Sequence, residues 1–296
     1  MNKGTWYAIG AYALWGLLPI YWKWLHHVPA TQVLCHRIFW SFLTLFIIIL
    51  LLRQWNAFRL ALANPRVLCA YTGAACLISI NWLTYIWAVG AGFIIETSLG
   101  YFINPLLSVL LGVVIFRERL RTWQWISITL AAAGVVYLTI VYGSLPWIAL
   151  TLAVTFGLYG LVKKISPLGS LYGLTLETGV LLLPAFIFLL YSDKAGNGSF
   201  LHAGIISDIL LAGAGVITVV PLLLFSSAAR RIPLSLIGIL QYIAPTLQFL
   251  LGVFVYSEPF TTAKFIGFGI VWIALIIYGV EGLMVYREQM FPVVSE

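Results

Sequence analysis

Long apolar runs separated by short polar punctuation make up almost the whole chain. Runs of about 20 apolar residues recur, each long enough to cross a hydrocarbon layer of about 30 Å as a helix. The pattern predicts ten spans, at residues 6–25, 30–53, 67–89, 93–116, 122–142, 146–162, 170–191, 205–229, 234–256 and 262–286. Connections are short, and Pro, Gly and His mark several of them. Only residues 192–204, SDKAGNGSFLHAG, read as a free loop rich in turn formers. The first apolar run follows Lys3 like a signal sequence. It is too long for a signal core and no small-residue cleavage site follows, so it is expected to be the first spanning helix. The predicted class is an all-α integral membrane protein with ten transmembrane helices.

Composition supports this class. Of 296 residues, 62% are hydrophobic and 8% are charged, against roughly 25% charged in a soluble protein. A nucleic-acid partner has no soluble domain to bind, so the net charge of +7 is read as a topology signal. With the N-terminus in the cytoplasm, the inner side holds Lys3, Arg53, Arg59, Arg66, Arg117, Arg119, Arg121, Lys163, Lys164, Arg230, Arg231 and Arg287. That is twelve of the 16 basic residues. Lys23, Lys194 and Lys264 fall outside, and Arg37 lies within a span. Basic residues are retained on the cytoplasmic side, so both termini are expected there.

A second pattern divides the chain into two halves, 1–142 and 143–296. An offset of 140 places Ile103 on Ile243, Pro105 on Pro245, Leu107 on Leu247, Leu110 to Val113 on Leu250 to Val253, Glu118 on Glu258 and Thr122 on Thr262. The mid-segment proline and segment-end glutamate in one ungapped register indicate an internal duplication. Five spans per half is odd, so the copies must insert in opposite directions. The charges agree: Arg117, Arg119 and Arg121 become Ser257, Pro259 and Thr261, whereas Gly90 and Ala91 become Arg230 and Arg231. Similarity retained while charge changes sides is the signature of an inverted repeat, a design that supports outward-open and inward-open states around a midplane site. Pro105 and Pro245 then act as hinges, each freeing a carbonyl, of Tyr101 and Gln241, four residues earlier. Around them lie Asn104 in one copy and Gln241, Tyr242 and Gln248 in the other.

The run NWLTYIWAVGAGFIIETSLGYFINPLLSVLLG, preceded by HRIFWSF and followed by LQYIAPTLQFLLGVFVYSEPF, resembles the RarD branch of the drug/metabolite transporter superfamily, built of EamA-type domains. The likeness includes YALWGLLPIYWK at the start and YGLVKK in the sixth span. It implies ten helices in two inverted five-helix repeats and an inner-membrane permease of the kind named for chloramphenicol sensitivity or resistance. After IWAV the chain reads GAGFIIE, where the branch implies a more polar run with an asparagine and a histidine, which puts the pocket mouth in doubt.

Ionisable residues inside the spans mark the candidate path. A charge at a helix centre costs about 2.5–3.5 kcal/mol on insertion scales, and Arg37, Glu96 and Glu177 all carry that cost. Gln32, His36 and Trp40 share one face; Glu96, Gly100 and Asn104 share another. Arg37 either pairs structurally with Glu177 or Glu96 or lines the substrate path, and the two roles are compatible. Two acids against one base leave a spare carboxylate, so Glu96 and Glu177 are candidates for proton coupling. Asn81 and Tyr85, on one helical face at i, i+4 spacing, are candidates to grip a flat or amphipathic solute. Trp6, Trp22, Trp24, Trp55, Trp123 and Trp147 sit at span ends and read as an interfacial belt.

Other chemistry is thinly represented. Cys35, Cys69 and Cys76 lie in apolar segments without metal spacing and read as buried thiols. His26 and His27 precede Pro29 in a turn at headgroup level, not a metal site. HExxH, GxSxG, GxGD and Walker motifs are absent from the sequence, so neither an enzyme, a metal or cofactor centre nor direct ATP drive is expected. A channel or a structural protein fits the kinked inverted halves less well. The expected function is gradient-driven alternating-access export of small metabolites or amphipathic drugs, with uptake of the same solutes as the alternative. The expected partners are the solute and membrane lipid; monomer and homodimer both remain open. Arg37 with Asn81, Asn104 and Gln241 suggests a solute bearing a carboxylate or amide.

Overall fold

The computed structural model describes residues 3–62, 64–117, 120–142, 144–165, 167–229, 231–232 and 240–290. Glu118, Arg119, Arg230, the predicted start of the ninth span and the C-terminal residues lie outside them. Eleven α-helices are described. They are α1 (Lys3–Trp24), α2 (Ala30–Leu51), α3 (Trp55–Leu62), α4 (Pro65–Ala91), α5 (Ile94–Phe116), α6 (Thr122–Tyr142), α7 (Trp147–Ile165), α8 (Ser170–Lys194), α9 (Ile205–Ala229), α10 (Ile243–Leu250) and α11 (Thr262–Met290). Six of them contain stretches long and apolar enough to cross a membrane: α2, α4, α6, α8, α9 and α11; shorter apolar helices lie at Trp147–Lys163 and Ile243–Val255.

Local chemistry sets several boundaries. Asn64 caps α4 by accepting from the Arg66 and Val67 N–H groups, with Pro65 in the first turn where its missing donor costs nothing. The same helix ends on Gly92 at φ +85°, with Phe93 N–H returning to Ala88 O in a Schellman closure. The short amphipathic α3 lies outside the ten predicted spans and fills the connection between α2 and α4.

One expectation changes here. Pro105 lies inside α5, but Pro245 is not mid-helix. α10 starts at Ile243, so Pro245 occupies its first turn, where proline is tolerated, and Gln241 and Tyr242 form a turn before it. Past Leu250 the chain runs on as a π turn, Leu251–Val255. The widened turn releases the chain into the segment carrying Glu258, whose N–H bonds Gly252 O.

Packing pairs α1 with α9, α4 with α7, α2 with α9, α4 with α8, α1 with α10 and α5 with α7; α2 meets α8, α5 meets α10 and α6 meets α11. One apolar core joins α1, α2, α4, α7, α8 and α9 around Trp22, Leu45, Trp82, Leu152 and Leu211. A second joins α5, α6, α7 and α11 around Leu99, Phe102, Leu138 and Val271. Large apolar side chains such as Ile140, Leu183, Phe254 and Ile276 face outward, as a lipid-facing surface does. Cys69 and Cys76 are on that outer surface and only Cys35 is partly covered, which corrects the expectation of three buried thiols: in an apolar solvent a span needs no polar outer face, so its composition does not reveal which side is covered.

Candidate functional site

The centre of the bundle is built on Arg37. From α2 its side chain enters the space between α1, α4 and α9, where it is 4% exposed. Its Nε donates to Thr218 Oγ1 of α9 at 2.9 Å, and Thr218 in turn donates to Ala214 O. The guanidinium carbon lies 3.8 Å from the Trp82 ring centroid and 5.2 Å from that of Trp22, a cation–π arrangement strengthened by exclusion of water. The hydroxyls of Tyr85 and Tyr101 lie within electrostatic reach, with the two rings 5.7 Å apart. Arg37 Nη1 and Tyr85 Oη are both buried and have no hydrogen-bond partner.

The amides have different roles, and Asn81 is joined to this centre through Tyr101. Asn81 donates to Leu152 O and Thr155 Oγ1 of α7, each at 3.0 Å, and its Oδ1 accepts from Tyr101 Oη at 3.4 Å. It therefore ties α4 to α7 and α5. Gln248 Nε2 donates to Trp15 O at 3.2 Å, while its buried Oε1 is without a partner. Tyr242 Oη is likewise buried without one. Asn104 is buried on α5 beside Pro105. Gln241 stays in the turn before α10.

Neither carboxylate reaches Arg37, so the expected ion pair does not form. Glu177, fully buried, accepts from Lys163 Nζ at 2.7 Å and Tyr159 Oη at 2.9 Å. Glu96 accepts from the N–H groups of Ile148 and Ala149 at the start of α7, where a helix has unpaired donors and a positive dipole end. The Glu96, Gly100 and Asn104 face therefore packs on α7; a Cβ at Gly100 would lie 2.7 Å from Ala149 O. Among the described residues of the bundle interior, the group left without an ion-pair partner is thus the base Arg37 rather than an acid.

Glu258 repeats the capping theme at the start of α5. Its two oxygens accept from Ile94 N–H at 2.8 Å and Ile95 N–H at 2.9 Å, capping α5. Burial pushes the Glu258 carboxyl up, against the opposing pull of those two N–H groups and of Lys23 and Lys264. Glu96, Glu258, Lys264, Trp87 and Trp147 border a cleft of about 300 Å³. Lys23 reaches the carbonyls of Val89 and Gly90 at the C-terminus of α4, at 3.2 and 3.4 Å.

The face formed by Gln32, His36 and Trp40 lines another cleft, of about 250 Å³. The segment expected to be a free loop is tied down there. Gln32 Nε2 donates to Asn197 O at 2.7 Å, and Ser199 N–H donates to Gln32 Oε1 at 2.9 Å. Phe200 is thereby set on His36, ring centroids 4.9 Å apart. His27 bonds Ser207 Oγ at 2.8 Å, and no group of three or more metal-ligating side chains occurs among the described residues.

Sequence reasoning missed several of these parts. Trp22 was assigned to the interfacial belt, yet it is 1% exposed and packs on Arg37; Trp6, Trp24, Trp123 and Trp147 do face outward. Lys163, near a span end, reads from sequence as a topology marker, and Tyr159 carries no signal of its own. Thr218 carried no signal at all in an apolar helix.

Known proteins are similar to this chain in sequence or in fold. The EamA-like transporter family matches residues 2–140. The transporter YojE of Bacillus subtilis (strain 168) is 47% identical over 94% of this chain and 93% of its own. Protein RarD of Streptomyces exfoliatus is 43% identical over 97% of this chain and 91% of its own. A crystal structure at 17% identity superposes with a TM-score of 0.58, covering 94% of this chain and 98% of that one, so the fold is shared. The chain belongs to the RarD branch of the EamA-like transporters, in the drug/metabolite transporter superfamily.

Proposed function

We propose that this protein is an inner-membrane permease that exports small metabolites or amphipathic drugs by gradient-driven alternating access, using ten spans in two inverted five-helix repeats. The carrying observation is the buried Arg37 centre, an unpaired donor edge walled by Trp22, Trp82, Tyr85 and Tyr101 and set between helices of both halves. Aromatic walls with a few convergent polar groups are the general form of a small-molecule site. Helix packing supports the repeat. Exchanging α1 with α7, α2 with α8, α4 with α9, α5 with α10 and α6 with α11 turns the α1–α9 contact into α7–α4, α2–α9 into α8–α4 and α1–α10 into α7–α5, and all of these occur. A pseudo-twofold of this kind lets two halves rock about a fixed centre.

The basic-residue asymmetry favours cytoplasmic termini. A reporter active only outside the cytoplasm, fused to the C-terminus, should stay silent. For the transport reading itself, cells with and without the protein are compared by untargeted metabolite analysis of cells and medium. A solute depleted from cells and enriched in medium, and restored by Arg37→Ala, is the expected result; no redistributed solute under any loading condition would overturn the transporter reading.

A further inference from the structure

We propose that Arg37 Nη1 and Tyr85 Oη together seat an oxyanion, so that the solute is a net-anionic carboxylate with an apolar or aromatic body. The inference rests on the permease reading and names the substrate class of its central site.

Four acids of the protein are already held by other groups. Glu177 is committed to Lys163 and Tyr159, Glu96 to the start of α7, Glu258 to the start of α5 and Glu281 to Arg121 at 2.8 Å. Among the described residues, Arg37 has no acidic partner within ion-pairing distance. A guanidinium remains charged at any physiological pH. A buried, uncompensated charge is disfavoured unless something supplies the counter-charge, and at this position an arriving solute is the available source.

Geometry narrows the choice. Nε is committed to Thr218, and Trp82 covers the guanidinium face. Two buried donors are left without a partner, Arg37 Nη1 and the hydroxyl of Tyr85, a residue only 3% exposed. Two open donors, one of them charged, suit the two oxygens of a carboxylate. Trp22 and Trp82, both packed on the guanidinium, are the apolar groups beside these donors. A neutral amide would leave the positive charge uncompensated, and a zwitterion would bring a second cation toward it.

The test uses purified full-length protein and two matched pairs, benzoate with benzamide and hexanoate with hexanamide, read by ligand-induced thermal shift and by calorimetric titration. At least one acid should bind about ten-fold or more tightly than its isosteric amide, the scale of one charge-assisted hydrogen bond. Arg37→Gln should remove that preference. Tyr85→Phe, which leaves the charge in place, should weaken acid binding by about five-fold or more while leaving amide binding unchanged. Equal binding of acids and amides, no binding of either acid, or protection by chloride equal to that by benzoate would each overturn the anion seat. Those results leave the permease reading standing if a solute is still redistributed in the cellular comparison; loss of redistribution there would remove both.

Discussion

Lys163 Nζ stands 2.7 Å from Glu177 Oε1, joining two consecutive helices, α7 and α8. Glu177 has no exposed surface and its second oxygen accepts from Tyr159. The carboxylate that sequence reasoning offered to Arg37 is thus satisfied by a lysine 14 residues away in the chain, and the centre of the bundle keeps a cation instead of an ion pair.

Removing one member of that pair leaves an uncompensated buried charge. Lys163→Ala is expected to destabilise the protein by about 3–5 kcal/mol, whereas the double variant Lys163→Met with Glu177→Met should recover most of the loss. Chemical unfolding in detergent measures both; a double variant as unstable as the single one would contradict the pairing as the dominant interaction.

Close helix approach at α2–α9 depends on Gly215, where a Cβ would lie 2.4 Å from the backbone carbon of Trp40. Backbone gives way less readily than a side-chain tip, so Gly215→Ala should cost about 1–3 kcal/mol. Gly269 of α11 has open space around it, and Gly269→Ala should be stabilising by roughly 0.5–1 kcal/mol. Parallel thermal melts of the two variants should move in opposite directions.

Gln32 holds residues 195–204 by pairing with backbone on both sides of Gly198. Gln32→Ala removes one donor and one acceptor, each worth about 1 kcal/mol. Hydrogen exchange at the Ser199 amide should accelerate by about ten-fold or more, with the helices unaffected. Unchanged exchange would mean that Phe200 packing alone retains the segment.

Glu258 makes a pH prediction. Burial holds its carboxyl above the ordinary carboxylate value despite the two N–H donors, so its neutral form is the one favoured by folding. The corresponding stability is present at low pH and is lost as pH rises through the raised value. On acidification from neutrality toward the ordinary carboxylate range, the thermal midpoint of the wild type should gain on that of Glu258→Gln. A midpoint that falls relative to the variant would show that the Ile94 and Ile95 donors outweigh burial.

Sequence alone determined the all-α class, the family and the local faces. Apolar run length reports helices, and side chains spaced by one helical turn share a side, which is why Gln32, His36 and Trp40 were placed together correctly. Partner choice was decided only in three dimensions. Glu177 could be offered to Arg37 or to Lys163 on chemistry alone, and helix adjacency selects Lys163. Trp22, near a span end, could belong to the interface or the interior; the packing of α1 against α9 and α4 puts it on Arg37. Glu258 reaches Ile94 across 164 positions of chain, a separation that no local pattern encodes. The common cause is the solvent: where lipid and protein interior are equally apolar, hydrophobic periodicity no longer distinguishes covered faces from exposed ones, and only the assembled bundle assigns each polar group its neighbour.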